Sequence, residues 1–251
     1  NVWDYLEGGA ESETSVKRNR FGLDSIALKP RVLRNVVEID CSASLFKHET
    51  RLPVAIAPCG SVDDLNSGGT LAIARAAEEF NIVSFFSASS PTPPDLEEIA
   101  SATGHPKVYQ LSIRGDPAVI DERVKRAIGA GYAGIGLTLD AIIKGRRERD
   151  MVSRHVPSSS SKRVAPLPAA TDTTLTWDHI KRFKDSYDIP LVLKAIATAE
   201  DAVLAVEHGV DVIYVSNHGG RQLDYSRATI DILSDVAEAV GGKAEIMIDG
   251  G

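Results

Sequence analysis

The run Ser216-Asn217-His218-Gly219-Gly220-Arg221-Gln222-Leu223-Asp224 holds the residue types in this chain best suited to chemistry. An imidazole stands three residues from a guanidinium, and the two glycines between them let the backbone turn tightly. A base beside a permanent cation is what proton abstraction from an anionic substrate requires: His218 takes the proton and Arg221 holds the carboxylate. A loop histidine with a structural hydrogen bond and a surface arginine is the plainer reading of the same letters. The run follows Val212-Ile213-Tyr214-Val215, so it begins where a buried strand ends.

Other reactive side chains also fall at the ends of apolar runs. Ala57-Pro58-Cys59-Gly60 offers small residues and a proline, which let backbone approach a flat ligand, although an ordinary turn would look the same. Cys59 reads as packing. Ser87, Gln110 and Thr138 are neutral hydrogen-bonding groups at successive strand ends. Asp140 follows Thr138; a carboxylate near His218 would orient the imidazole and stabilise its protonated form, and otherwise Asp140 would cap a helix. Lys194 closes an apolar strand, so it needs an anionic partner or a shifted pKa. A Schiff base, as in barrel aldolases, is its rival chemistry.

Something must hold these groups together, and the hydrophobic pattern says what. Short apolar runs at 53–57, 82–86, 107–111, 134–139, 190–194, 211–215 and 245–248 read as parallel strands buried on both faces. Segments 69–80, 117–130, 198–208 and 229–240 read as helices, the third with Thr198 as cap and Glu200 and Asp201 in its first turn. Alternation of this kind predicts an α/β fold, best a (β/α)8 TIM barrel with seven of its eight strands in the 251 residues. Because a barrel does not leave out a strand, the chain is expected to be a piece of a longer one. The segment 151–174, rich in serine and proline, is expected to be a mobile loop after the fourth strand.

Composition narrows the function. Hydrophobic residues make up 43% of the chain, enough for a large core, and a net charge of -7 argues against nucleic acid or an anionic membrane as partner. No apolar run approaches a membrane span and no signal peptide opens the chain. Cys41 and Cys59 are too few for a disulfide framework and fit a reducing compartment, with the cytoplasm the expected location and a peroxisomal address beyond Gly251 left open.

The run SNHGGRQLD resembles the signature of the FMN-dependent α-hydroxy-acid oxidases and dehydrogenases, the family of glycolate oxidase, lactate oxidase, mandelate dehydrogenase and flavocytochrome b2. The resemblance extends to Asp4-Tyr5-Leu6-Glu7-Gly8-Gly9-Ala10, to Asn19-Arg20-Phe21, to Lys29-Pro30-Arg31-Val32-Leu33 and to Gly145-Arg146-Arg147-Glu148. It implies one FMN-binding barrel over 1–251, with 1–50 packed on the barrel and 151–174 covering the site. It also implies roles. Ala57, Pro58, Cys59 and Gly60 would pack against the flavin. Ser87, Gln110 and Thr138 would bind the polar edge of the isoalloxazine. Lys194 would sit near N1 and O2, where charge accumulates on reduction. Tyr5, Arg147 and Arg221 would bind the substrate carboxylate, and Asp140 would pair with His218. Asp249 would bind ribityl hydroxyls, with Gly250 and Gly251 approaching the phosphate. A homo-oligomer, a tetramer in the family, is implied as well.

Three positions depart from the pattern. Ser112 stands where the family has tyrosine, implying a roomier substrate site. Ala195 replaces a usual glycine, and Ser67-Gly68-Gly69-Thr70 replaces an acidic residue. The expected function is FMN-dependent oxidation of an L-2-hydroxy acid to a 2-oxo acid, with electrons passed to O2 or another acceptor. The alternatives are a degenerate barrel that binds flavin or acid without turnover, and a Schiff-base aldolase using Lys194.

Overall fold

The computed structural model describes residues 2–66, 68–87, 95–112, 117–141, 145–154 and 175–250. The N-terminal part comprises helices α1 (Val2–Glu7) and α2 (Thr14–Asp24) and a hairpin of β1 (Ala43–Leu45) and β2 (His48–Thr50). Strand and helix then alternate: β3 (Ala55–Ile56), α3 (Gly69–Glu79), β4 (Val83–Ser87), α4 (Leu96–Ala102), β5 (Lys107–Ser112), α5 (Pro117–Gly129) and β6 (Gly134–Thr138). After these come α6 (Glu148–Ser153), α7 (Trp177–Ser186), β7 (Leu191–Ile196), α8 (Ala199–Glu207), β8 (Val212–Val215), α9 (Thr229–Val240) and β9 (Glu245–Ile248). Strands β3 to β9 form one parallel sheet in chain order, the staves of a curled TIM barrel.

The strands are apolar along their whole length because both faces are covered. Side chains alternate between the faces. Phe86, Tyr109, Leu111, Ile135, Leu137, Leu193, Ile213 and Val215 pack outward under the helices. Val83, Phe85, Val108, Val192, Val212 and Tyr214 face the barrel interior, where Phe46 from the hairpin joins them. Towards the C-terminal strand ends the inner face turns polar: Val108 is succeeded by Gln110 on β5, and Val192 by Lys194 on β7. Opposite Gln110 stands Gly136, where an added Cβ would lie 2.2 Å from Gln110 Oε1; only glycine leaves room for that amide.

The structure adjusts the expected elements in several places. The first strand shortens from 53–57 to Ala55–Ile56, flanked by Pro53 and Pro58, which have no N–H for a ladder. Strand β7 runs on to Ile196 through a register shift beside Lys194. Met151–Ser153, expected to open a loop, complete α6, while 155–174 lie outside the described residues. Helix α2 gave no hydrophobic signal because it buries Ser15, Asn19 and Gly22, which are small or polar. Among the described residues no helix is long and apolar enough to cross a membrane.

A buried polar network sits at the N-terminal ends of β4 and β5. His105 Nε2 lies 2.5 Å from Ser84 Oγ and its Nδ1 lies 2.8 Å from Thr103 Oγ1. Lys107 Nζ donates to the carbonyls of Thr103 and His105 at 2.7 and 2.8 Å. Burial first, and the Lys107 charge second, push His105 from 6.5 down to about 4. The unfolded chain therefore takes up a proton that the folded one refuses, so stability is full above pH 6.5 and declines towards pH 4. Urea unfolding should find about 2 kcal/mol less stability from this group at pH 5 than at pH 7. His105→Asn should remove that part of the slope; an unchanged slope would assign it to other groups.

Candidate active site

Strand β8 delivers the chain into the His218 loop. His218, Gly219 and Gly220 have φ of 57°, 64° and 72°, a left-handed turn that lifts the histidine off the end of the strand. A Cβ on Gly220 would lie 2.7 Å from Val16 N, so the loop rests directly on α2. Two buried amides lock this contact: Asn19 Nδ2 donates to Asn217 Oδ1 (2.9 Å) and Asn217 Nδ2 donates to Asn19 Oδ1 (2.7 Å). Asp224 closes the far side of the loop, accepting from Ser12 Oγ (2.6 Å) and Ser15 N (2.8 Å). Burial raises the Asp224 carboxyl, but those donors and the N–H groups of Tyr225 and Thr14 outweigh it and hold it well below the usual carboxylate range.

His218 Nδ1 lies 3.0 Å from Asp140 Oδ1, across the gap between the ends of β8 and β6. A carboxylate can only accept, so Nδ1 carries the proton of the neutral ring and Nε2 keeps a lone pair. Ser216 Oγ fixes the backbone beneath by accepting from His218 N at 3.0 Å. Asp140 is thus a partner of the imidazole.

Arg221 turns towards the N-terminal arm. Its Nη1 donates to the carbonyls of Leu6 (3.0 Å) and Gly8 (2.6 Å), and its Nη2 donates to that of Tyr5 (2.8 Å). These are orphan carbonyls at the end of α1, so the guanidinium caps that helix. Three of its five N–H donors are used in this way. Tyr5 offers its ring to two cations, with Arg221 Cζ 5.3 Å and Arg147 Cζ 5.2 Å from the centroid. Arg147 Nε stands 3.3 Å from Asp150 Oδ2. Burial first, and the neighbouring Arg147 charge second, pull Arg221 below its ordinary value. Two guanidiniums this close repel, and an anion between them would relieve the repulsion.

Inside the barrel, Lys194 is 3% exposed; its Nζ donates to Ser216 Oγ at 2.6 Å and pairs with Asp249 Oδ2 at 2.8 Å. Gln110 Nε2 donates to Thr138 Oγ1 at 2.8 Å. Ser87 ends β4 in register with Gln110. Ala57, Pro58, Cys59 and Gly60 form the loop after β3, and Cys59, exposed, lies within electrostatic reach of Arg221. Gly250 has φ of 92° behind Asp249. The side chain of Ser112 and all of Gly251 lie outside the described residues. Asn19, Tyr214, Ser216, Asn217 and Asp224 belong to this constellation without having been singled out as site residues. Ser216, Asn217 and Asp224 sit inside the SNHGGRQLD run and Asn19 inside the matching Asn19-Arg20-Phe21 stretch, so their positions were a usable signal; Tyr214 gave none.

Among the described residues, the buried side-chain atoms without a hydrogen-bond partner are Gln110 Oε1, Arg147 Nε, Asp150 Oδ1 and Asp249 Oδ1. All belong to this constellation. Each such atom costs about 1–3 kcal/mol when left unanswered, so a polar ligand that reached them would be favoured.

The family model for FMN-dependent dehydrogenases matches residues 1–251. The chain belongs to the FMN-dependent dehydrogenase family. It is similar to a peroxisomal (S)-2-hydroxy-acid oxidase of Oryza sativa subsp. indica, 36% identical over 267 residues, covering 100% of this chain and 72% of the relative. Glycolate oxidase 1 of the same plant is 35% identical over 269 residues, with the same coverage. A crystal structure of a mandelate oxidase variant with 2-hydroxy-phenylacetamide superposes with a TM-score of 0.89 at 33% identity, covering 100% of this chain and 73% of that one. A mandelate oxidase structure with a C4a-OH-FMN adduct has the same TM-score and identity.

For an FMN-dependent dehydrogenase, two of the four orphaned atoms have fitting partners. The isoalloxazine N–H suits the Gln110 Oε1 acceptor, and a ribityl hydroxyl suits Asp249 Oδ1. One residue beside this site is strained: Ala195, at the register shift after Lys194, has φ of 91°, a region that favours glycine. Ala195→Gly should therefore raise stability by about 1 kcal/mol in urea unfolding, with the site intact. A loss of stability would mean that the bulge is held by the methyl group.

Proposed function

We propose that this protein oxidises an L-2-hydroxy acid to the 2-oxo acid with FMN. The observation that carries the reading is the His218–Asp140 pair at the same strand-end rim as two guanidiniums stacked on Tyr5. Family membership and the activities by which the relatives are named support it. FMN, when bound, would take up the two electrons and the C2 hydrogen lost as the C2 hydroxyl becomes a carbonyl. The unused N–H donors of Arg221, with Arg147 and the Tyr5 hydroxyl, bind the carboxylate and so orient C2. His218 Nε2 takes the hydroxyl proton, and Asp140 stabilises the imidazolium that forms. Gln110, Thr138, Ser87 and the Ala57–Gly60 loop hold the flavin ring; Asp249, Gly250 and Gly251 hold its side chain. Lys194 supplies positive charge where the reduced ring becomes negative.

The Schiff-base reading is weakened by the Lys194 contacts. An ammonium held by Asp249 and Ser216 has no lone pair for attack on a carbonyl. The reading as a flavin-binding barrel without turnover rests on Ser112, whose hydroxyl replaces a family phenol. We also propose a single barrel domain over 1–251 and a homo-oligomeric assembly. Location in the peroxisome or cytoplasm is part of the same reading, the rice relative being named peroxisomal.

Two outcomes check the assignment. His218→Gln should keep FMN bound while anaerobic flavin reduction by a panel of L-2-hydroxy acids slows by about 10²–10⁴-fold; near-normal reduction would sink the base assignment. Ser112→Tyr should shift kcat/KM towards small acids, measured as the ratio between a two-carbon and an aryl acid. An unchanged ratio would refute the roomier pocket.

A further inference from the structure

Tyr214 is 2% exposed on the inner face of β8, in register with Lys194 on β7. Its inner-face neighbours Val192 and Val212 are wholly apolar, and Phe85 meets its ring edge-on at 5.6 Å. A valine or isoleucine would serve that packing without burying a hydroxyl, which is costly unless something answers it. What the residue adds is contact with the charged pair. Lys194 Nζ stands 5.0 Å from the ring centroid, within cation–π range, while the same Nζ is 2.8 Å from Asp249 Oδ2. Burial first, and then the Asp249 carboxylate beside it, hold the Tyr214 hydroxyl well above its ordinary value, so the phenol stays protonated.

We propose that Tyr214 is a positioning residue for Lys194: its hydroxyl draws off part of the Asp249 charge and its ring face supports the ammonium, so that the lysine charge stays available to the flavin. The proposal rests on the FMN reading above. A neutral phenol beside a carboxylate spreads the anion's charge, and a π face over an ammonium favours the cation. Both effects leave Lys194 less neutralised by Asp249. Among the described residues, Ser216 and Asp249 answer two of the three ammonium donors.

Sulfite reads this charge without any substrate, because it adds to oxidised flavin and leaves the ring anionic. In the FMN-loaded protein, Tyr214→Phe should keep the FMN dissociation constant within about twofold and weaken sulfite binding roughly tenfold, or about 1.4 kcal/mol. Asp249→Asn, measured at saturating FMN, should tighten sulfite binding. In a Lys194→Met background, Tyr214→Phe should have no further effect, since the tyrosine acts through the lysine. Unchanged sulfite affinity in Tyr214→Phe, an equal loss in the Lys194→Met background, or weaker sulfite binding in Asp249→Asn would each overturn the proposal while leaving the flavin reading standing. Failure of the unmodified protein to bind FMN would overturn that reading itself.

Discussion

Lys194 carries a charge where almost no water reaches it, and the site is organised around how that charge is answered. A buried ammonium without a partner costs several kcal/mol, so Asp249 and Ser216 have to be where they are. Those two residues come from the ends of the strands that follow Lys194, β9 and β8. The pair therefore ties three consecutive strand ends together. The same hydroxyl of Ser216 also accepts from His218 N, so the lysine and the histidine share one anchor. A change in how Lys194 is held would be felt at the backbone of His218.

The N-terminal arm is the second support. Arg221 binds three carbonyls around the end of α1, the Asn19–Asn217 amides join α2 to the loop, and Asp224 accepts from the start of α2. These bonds join parts of the chain more than 190 positions apart, up to 216 for Arg221 and Tyr5. The arm forms one wall of the site. Its burial rests on polar and small residues because its partner is a loop full of backbone N–H and C=O groups, and such a surface is matched by hydrogen bonds.

Two backbone conformations at the site are costly. His218 and Ala195 both hold positive φ, and neither is glycine. Conformations of this kind persist when surrounding contacts over-determine them. The histidine loop is fixed by the amide pair and by Ser216; the Ala195 bulge lies between two strands whose ladders continue on either side. The resulting geometry aims His218 at Asp140, which a regular continuation of β8 would not do.

The alternation of strands and helices was legible in the letters, because burial on both faces writes unbroken apolar runs and one-sided burial writes helical spacing. So were the strand-end residues and the run from Ser216 to Asp224. Helix α2 was silent in the hydrophobic pattern, since Asn19, Ser15 and Gly22 are buried for their hydrogen bonds and size. Tyr214 was hidden inside an apolar run, where one aromatic letter looks like any other core residue. Only the tertiary structure decided that Asp140 meets His218 across 78 positions, that Arg221 caps α1, and that two arginines share Tyr5. Periodicity is a property of neighbours along the chain. Which side chains meet across a curled sheet depends on register and loop conformation, and those exist only after the sheet has closed around its core.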